Sequence, residues 1–169
     1  EVITCLNKIY RLDPKIFVGM DMIAGFPSET REEHEQGMLL LKDLPWTRLH
    51  VFPYSEREGT PALKIPGSVP QQERKRRAQE LMSLSLKRHE IFCAQYLNGE
   101  IKDVLFESPY EVAGDWYVAG HSPNYLRVLV RAPSRTEAEA ETIRNTVRKT
   151  RVIGLSPKPE QDWTLEAAL

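Results

Sequence analysis

The sequence predicts an α/β protein in which βα units of an incomplete parallel barrel are followed by a small antiparallel β-barrel. Three observations carry this. Residues 16–24, Ile-Phe-Val-Gly-Met-Asp-Met-Ile-Ala, form a nearly continuous apolar run, as expected of a parallel strand covered on both faces. A second strand-like stretch, residues 48–54, follows about thirty residues later, the spacing of one βαβ unit. Beyond residue 97 the apolar pattern changes to period two, in short stretches separated by Gly, Pro, Ser and Asn.

The elements follow in order. A helix-like segment starts at Glu1. After the first strand, Thr30 and Glu33 form a capping box, Glu32 and Glu33 suit a positive helix start, and Met38, Leu41 and Leu44 recur at helical spacing until Pro45 ends the helix. Residues 71–97 read as a longer helix with Ala78, Leu81, Met82, Ser85, His89, Phe92 and Tyr96 on one stripe, ended at Asn98-Gly99, where glycine supplies the left-handed conformation. Strands are then expected at 101–106, 116–120, 125–130 and 143–153. These readings divide the chain into 1–97, the α/β part; 98–155, the small barrel; and 156–169, a linker-like tail from Ser156-Pro157-Lys158-Pro159 onward, with Trp163 and Leu165 able to dock. Two βα units cannot close a barrel, because an open parallel edge exposes unpaired backbone groups, so the chain is expected to be a piece of something longer.

Composition narrows the function classes. The formal net charge of -1 removes the whole-chain basicity of many nucleic-acid binders. Positive charge is concentrated locally, in Glu73-Arg74-Lys75-Arg76-Arg77 and in Arg144, Arg148, Lys149 and Arg151; these either meet phosphate or form solvated faces. No apolar run is long enough to span a bilayer and no signal peptide is present, so a cytoplasmic setting is expected. Cys5 and Cys93 are too few for a disulfide framework and match no metal-ligand spacing; both are expected to be buried thiols. His89 and Cys93 mimic a helical metal pair, but their otherwise apolar stripe favours packing. Neither a phosphate-binding glycine loop with its lysine nor a hydrolase serine elbow occurs.

Three places offer chemistry. Alternation puts Asp21, Ile23 and Gly25 on one strand face, with His50, Phe52 and Tyr54 on the corresponding face of the next; this is either a barrel interior or a set of hydrogen-bonded core residues. The turn Gly25-Phe26-Pro27-Ser28-Glu29-Thr30 leads into a helix start whose free amides suit an anion, and Ser55-Glu56-Arg57-Glu58-Gly59-Thr60-Pro61 brings a hydroxyl and a guanidinium to the same rim or is an ordinary loop. In the small barrel, Leu126, Val128 and Val130 face a core while Tyr125, Arg127 and Arg131 face outward, an arrangement suited to stacking bases and neutralising phosphates, or simply a solvated face.

Asp21-Met-Ile-Ala-Gly-Phe-Pro-Ser-Glu-Thr30, Leu49-His-Val-Phe-Pro-Tyr-Ser-Glu-Arg-Glu-Gly-Thr-Pro-Ala62 and Gly120-His-Ser-Pro-Asn-Tyr-Leu-Arg-Val128 together resemble the tRNA methylthiotransferases. Over residues 1–155 the resemblance implies the end of a radical S-adenosylmethionine (TIM-like) barrel and a TRAM domain, which is OB-like. The Leu-His-Val-Phe-Pro-Tyr-Ser form is similar to the branch acting on N6-threonylcarbamoyladenosine at tRNA position 37; the other targets are isopentenyladenosine in tRNA and a ribosomal protein. A third reading is a non-catalytic RNA-binding module. The resemblance further implies S-adenosylmethionine and two [4Fe-4S] clusters in a full-length parent, with the tRNA anticodon loop as partner. It places Gly25, Phe26, Phe52, Tyr54 and Arg57 beside the cofactor, and Asn124, Tyr125 and Arg127 on the tRNA face. Three departures stand out: Ser28 where the family usually has glycine, the absence of the three-cysteine motif, and a Glu/Ala-rich stretch between Arg131 and Ile143. Without cluster cysteines the chain alone is expected to be inactive.

Overall fold

The computed structural model describes residues 1–157 and 163–169, and the chain divides into two compact units, Glu1–Arg88 and His89–Leu169.

The first unit contains α1 (Val2–Leu12), β1 (Gly19–Ala24), α2 (Arg31–Asp43), β2 (Arg48–Pro53) and most of α3 (Gln71–Ala94). β1 and β2 pair in parallel, with Asp21 opposite His50 and Ile23 opposite Phe52. The alternation anticipated from sequence sets their two faces apart. Leu49 and Ala24 join Leu6, Leu41, Leu44, Trp46, Ala78 and Leu81 in one buried cluster, with Met20, Met22 and Val51 packed against it. Asp21, Ile23, His50 and Phe52 are exposed. The apolar run is therefore covered on one face, not both, and Asp21 and His50 are not core residues. β1 also starts later than expected, since the Val18 carbonyl is already accepting from the amides of Thr47 and Arg48 (2.8 and 3.2 Å).

The helix ends explain their own positions. Thr30 and Glu33 make the capping box reciprocally. At the other end of α2, Arg88 donates to the carbonyls of Leu41, Lys42 and Leu44, satisfying acceptors that a helix terminus leaves open, while its guanidinium lies 5.0 Å over the Trp46 ring. The Ser85 hydroxyl accepts from the Leu49 amide at 2.9 Å, tying β2 to α3.

The second unit is a closed barrel of strand order β3-β4-β5-β7-β6, from β3 (Glu100–Val112), β4 (Asp115–His121), β5 (Arg127–Arg131), β6 (Val147–Pro157) and β7 (Trp163–Ala168). Its pairings are antiparallel except that of β5 with β7, which is parallel. Val104, Phe106, Val118, Val128, Val130, Val152 and Leu165 fill the core.

Several expectations are corrected. β3 runs to Val112 despite Pro109, because a register shift between Phe106 and Ser108 absorbs the irregularity before pairing with β4 resumes. Left-handed conformation after α3 is supplied by Asn98 (φ 60°). The last turns of α3 belong with the barrel, where Asn124 donates to the Tyr96 hydroxyl at 2.7 Å; the unit boundary accordingly falls before residue 97. Residues 137–143 form α4 (Glu137–Ile143), where a strand was expected from Ile143; Thr136 accepts from the Glu139 amide, and Ala140 and Ile143 are buried. The supposed tail is structural: β6 extends to Pro157, and β7 inserts between β5 and β6, with Leu165 fully buried. The Lys158-Pro159 part of that expectation lies outside the described residues.

Leu165→Ala should destabilise the second unit by about 2–5 kcal/mol, the cost of a cavity in a packed core. Chemical denaturation checks this; a loss under about 0.5 kcal/mol, normal for a surface position, would contradict the closed barrel.

Candidate functional site

The C-terminal ends of β1 and β2 build a cleft of about 490 Å³, lined by Ile23, Phe52, Pro53, Tyr54, Ser55, Arg57, Thr60 and Ala62. The Tyr54 amide continues the ladder by donating to the Ala24 carbonyl at 2.8 Å, which brings the turn at Gly25 alongside. Phe26 meets Tyr54 edge-on, with centroids 5.3 Å apart. Gly25, Phe26, Phe52, Tyr54 and Arg57 therefore gather at one rim. The cleft lining is mostly apolar, and the Tyr54 hydroxyl is buried with no hydrogen-bond partner among the described residues.

A residue read from sequence only as part of a basic run holds this rim. Arg74 of α3 is only 6% exposed. It donates to the Val69 carbonyl (2.7 Å), the Tyr54 carbonyl (3.0 Å), the Ser68 hydroxyl (3.0 Å) and both oxygens of Glu56 (2.9 and 2.5 Å). Its guanidinium lies 5.1 Å over the Tyr54 ring. A Cβ at Gly25 would stand 2.5 Å from Arg74 Cγ, and Gly25 has φ 73°, so glycine is required there on both counts. Hydrogen bonds from Arg74, with a smaller contribution from its own backbone, hold the Glu56 carboxyl down at about 2. Position 74 precedes Ala78, Leu81 and Ser85 at helical spacing, and that was the legible signal of its burial.

Two members of the basic run of α3, Arg74 and Arg77, are thus buried and face neither solvent nor phosphate, while Lys75 and Arg76 are exposed. Arg76 pairs with Glu73 and Glu80, and Arg77, 4% exposed, pairs with Glu73 and Glu29. The anion site expected at the start of α2 is filled by the chain itself: Gly25 N–H donates to Glu29 at 2.5 Å, Ser28 N–H to the Gly67 carbonyl at 2.7 Å and Thr30 N–H to Glu33 at 2.8 Å.

In the barrel, Tyr125 is not in a strand but in a turn, with φ 61°, and its side chain is 72% exposed. Asn124 is a brace, accepting from the Ser122 hydroxyl and donating to Tyr96. Burial raises the pKa of the Tyr110 phenol, and the positive charge of Arg127 partly pulls it back. Tyr110 in turn stacks on Tyr117 at 6.3 Å. Several other barrel cations are engaged: Arg131 pairs with Asp115, Lys149 with Glu100 at 2.8 Å, Arg144 with Glu141 at 3.4 Å, and Arg148 donates to Thr142 and Thr146, whereas Arg151 is exposed. The Tyr110–Tyr117–Arg127 cluster escaped sequence reading because its members come from three strands.

No family model matches the chain. It is 32% identical over 126 residues to the threonylcarbamoyladenosine tRNA methylthiotransferase of Bacillus subtilis, covering 75% of this chain and 28% of the relative. The chain is similar to the C-terminal part of the tRNA methylthiotransferases. The corresponding methylthiotransferase of Rickettsia prowazekii is 40% identical over 108 residues, 64% of this chain and 25% of its own length. The tRNA-2-methylthio-N(6)-dimethylallyladenosine synthase of Geobacillus thermodenitrificans is 31% identical over 150 residues, 89% of this chain and 28% of its own. The chain thus spans about a quarter of the length of these relatives.

Against the methylthiotransferase pattern, Ser28 occupies φ 70°, the left-handed region that the glycine usual there adopts freely. The cysteines do not fit an iron-sulfur cluster, since Cys5 on α1 is exposed, contrary to expectation, and Cys93 is buried with its sulfur 3.5 Å from His89 Nε2. Among the described residues no group of three ligand-type side chains could hold a metal ion, and no helix is long and apolar enough to cross a membrane.

The Glu56 carboxyl binds its proton less readily in the folded chain than its ordinary 4.5, so its pairing with Arg74 stabilises fully above about pH 4.5 and is lost as pH falls toward 2. Thermal melting of wild type and Glu56→Gln across that range should show the wild-type midpoint falling more steeply. Parallel curves would mean that the pair contributes nothing to acid sensitivity.

Proposed function

We propose that this chain is the C-terminal portion of a radical S-adenosylmethionine tRNA methylthiotransferase that modifies C2 of N6-threonylcarbamoyladenosine at position 37. In this reading the first unit, residues 1–88, holds the last βα units of the radical S-adenosylmethionine barrel. Residues 98–155, with β7, are the TRAM domain. The observation that carries the reading is the cleft at the β1 and β2 ends, which falls within the stretches that resemble the family and has the chemistry an adenosyl group needs.

Phe52, Ile23 and Ala62 supply apolar contact, and Phe26 and Tyr54 an aromatic wall. In the full-length enzyme, S-adenosylmethionine on one cluster would supply the radical that takes hydrogen from C2, and the second cluster would be linked to the sulfur delivered. This chain's residues bind and orient the adenosyl group and keep water off one side of it. The cluster thiolates belong to other parts of the enzyme.

The tRNA would be gripped by Tyr125 and Arg127, with Asn124 fixing the turn that presents Tyr125. Exposure of Tyr125 supports stacking on an unpaired base. A second reading, action on dimethylallyladenosine, draws support from relatives of that name that cover 89% of the chain.

Binding of unmodified tRNA across a salt series, with duplex DNA as control, tests the barrel's role. The chain should prefer tRNA with a salt-dependent affinity, and replacing Tyr125 and Arg127 together by alanine should weaken binding by about 1–3 kcal/mol without lowering the melting midpoint. Equal affinity of the double variant would remove this face from recognition.

A further inference from the structure

We infer that His34 is a positioning residue for the adenosyl group, acting through Glu29 to fix the turn at Gly25 and Phe26 on the cleft rim. This rests on the reading of that cleft as the adenosyl site and extends it to a residue that touches no ligand itself.

β1 ends at Ala24, and the turn beyond it is closed by Glu29. The Glu29 amide donates to the Phe26 carbonyl (3.0 Å), and its Oε2 accepts from the Gly25 amide (2.5 Å). A bond to a carboxylate is charge-assisted and therefore one of the stronger kind. A glutamate side chain is nonetheless flexible, so its carboxylate stays on one amide only when other groups hold it. Two buried residues do so. Arg77 brings Nη1 to the Glu29 carbonyl (2.9 Å) and to Oε2 (3.3 Å). His34, in the first turn of α2, places Nδ1 3.5 Å from Oε1, so the two carboxylate oxygens are held from different sides.

His34 is itself fixed. It is 5% exposed, and its Nε2 lies 2.9 Å from Glu80 Oε2 on α3. Carboxylates only accept, so both are met when each ring nitrogen carries hydrogen. Glu80 is held in turn by Arg76, and Glu73 lies between Arg76 and Arg77. A hydrophobic side chain would fill this buried place without the cost of desolvating a polar ring, so what the imidazole adds is the tie to Glu29. The beneficiary is the rim: Phe26, next to Gly25, sets its ring edge-on to Tyr54 and completes the aromatic wall. A Gly25 amide released from Glu29 lets Phe26 leave that wall while β1, β2 and the core keep their places. Ligand groups held by a supporting layer of hydrogen bonds lose affinity when that layer is removed.

The probe is 5′-deoxyadenosine, titrated into the chain and followed by NMR, which reads affinity and the Gly25 amide shift together. His34→Ala should bind it about fivefold more weakly, the effect of losing one hydrogen bond, with the Gly25 amide proton moving upfield as its carboxylate partner drifts. His34→Gln, able to meet one carboxylate but not both, should recover part of the loss. Glu80→Ala, at an exposed position, should move the Gly25 amide the same way with an unchanged melting midpoint, and it decides the matter if His34→Ala fails to fold. A Gly25 amide that stays in place in these variants overturns the inference, as does one that moves while affinity is unchanged; either result leaves the adenosyl reading standing. Phe52→Ala separates the levels, since it should lose affinity without moving the Gly25 amide. If wild type and Phe52→Ala bind alike, or wild type binds nothing, the adenosyl reading fails and the inference fails with it.

Discussion

A single buried guanidinium organises the first unit. Arg74 reaches a strand end through the Tyr54 carbonyl, a loop through Ser68 and Val69, a carboxylate through Glu56 and an aromatic face through Tyr54, all from one position on α3. Burying that charge is unfavourable unless its donors are met, and here they are met by groups that would otherwise be free to move. The close approach of Gly25 to its stem follows from the same placement.

The sheet beside this anchor has two unlike faces. One carries the core, from Leu6 and Trp46 to Leu81, and the other exposes Asp21, Ile23, His50 and Phe52. Closure of the second unit works differently. There the edge problem of a small sheet is solved by β7, which pairs with β5 in parallel and with β6 antiparallel and leaves the strands without a free edge. The turn bearing Tyr125 leaves this barrel between β4 and β5, held by Ser122 and by Asn124 against Tyr96.

Much of this was legible from residue order. The capping box at Thr30, the apolar period of α2 and α3, and the alternation of β1, β2 and β5 each rest on local spacing, and each appears in the structure. What escaped depended on partners distant in sequence or on signals that conflict. β7 reads as a tail because the turn-like Ser156-Pro157-Lys158-Pro159 precedes it, and its apolar side makes sense only once β5 and β6 are adjacent. α4 carried a readable cap in Thr136 and Glu139, overridden by the expectation of a connection. The basic run of α3 was left open between a phosphate-meeting and a solvated face because the partners that bury Arg74 and Arg77 include Glu56 and Glu29, far away along the chain. At the cleft, the five rim residues were named from sequence, whereas Arg74, which positions them, was read only as part of a basic run.

Amide hydrogen exchange of Arg74→Lys tests the anchor most directly. Lysine keeps the positive charge but not the planar fork that serves several acceptors at once. The account predicts faster exchange at Tyr54 and at Ser28, whose amide bonds the Gly67 carbonyl beside the Ser68–Val69 loop, with protection retained at Leu49 in the core. Unchanged exchange at Tyr54 and Ser28 would contradict it and would leave the rim held by the strands alone.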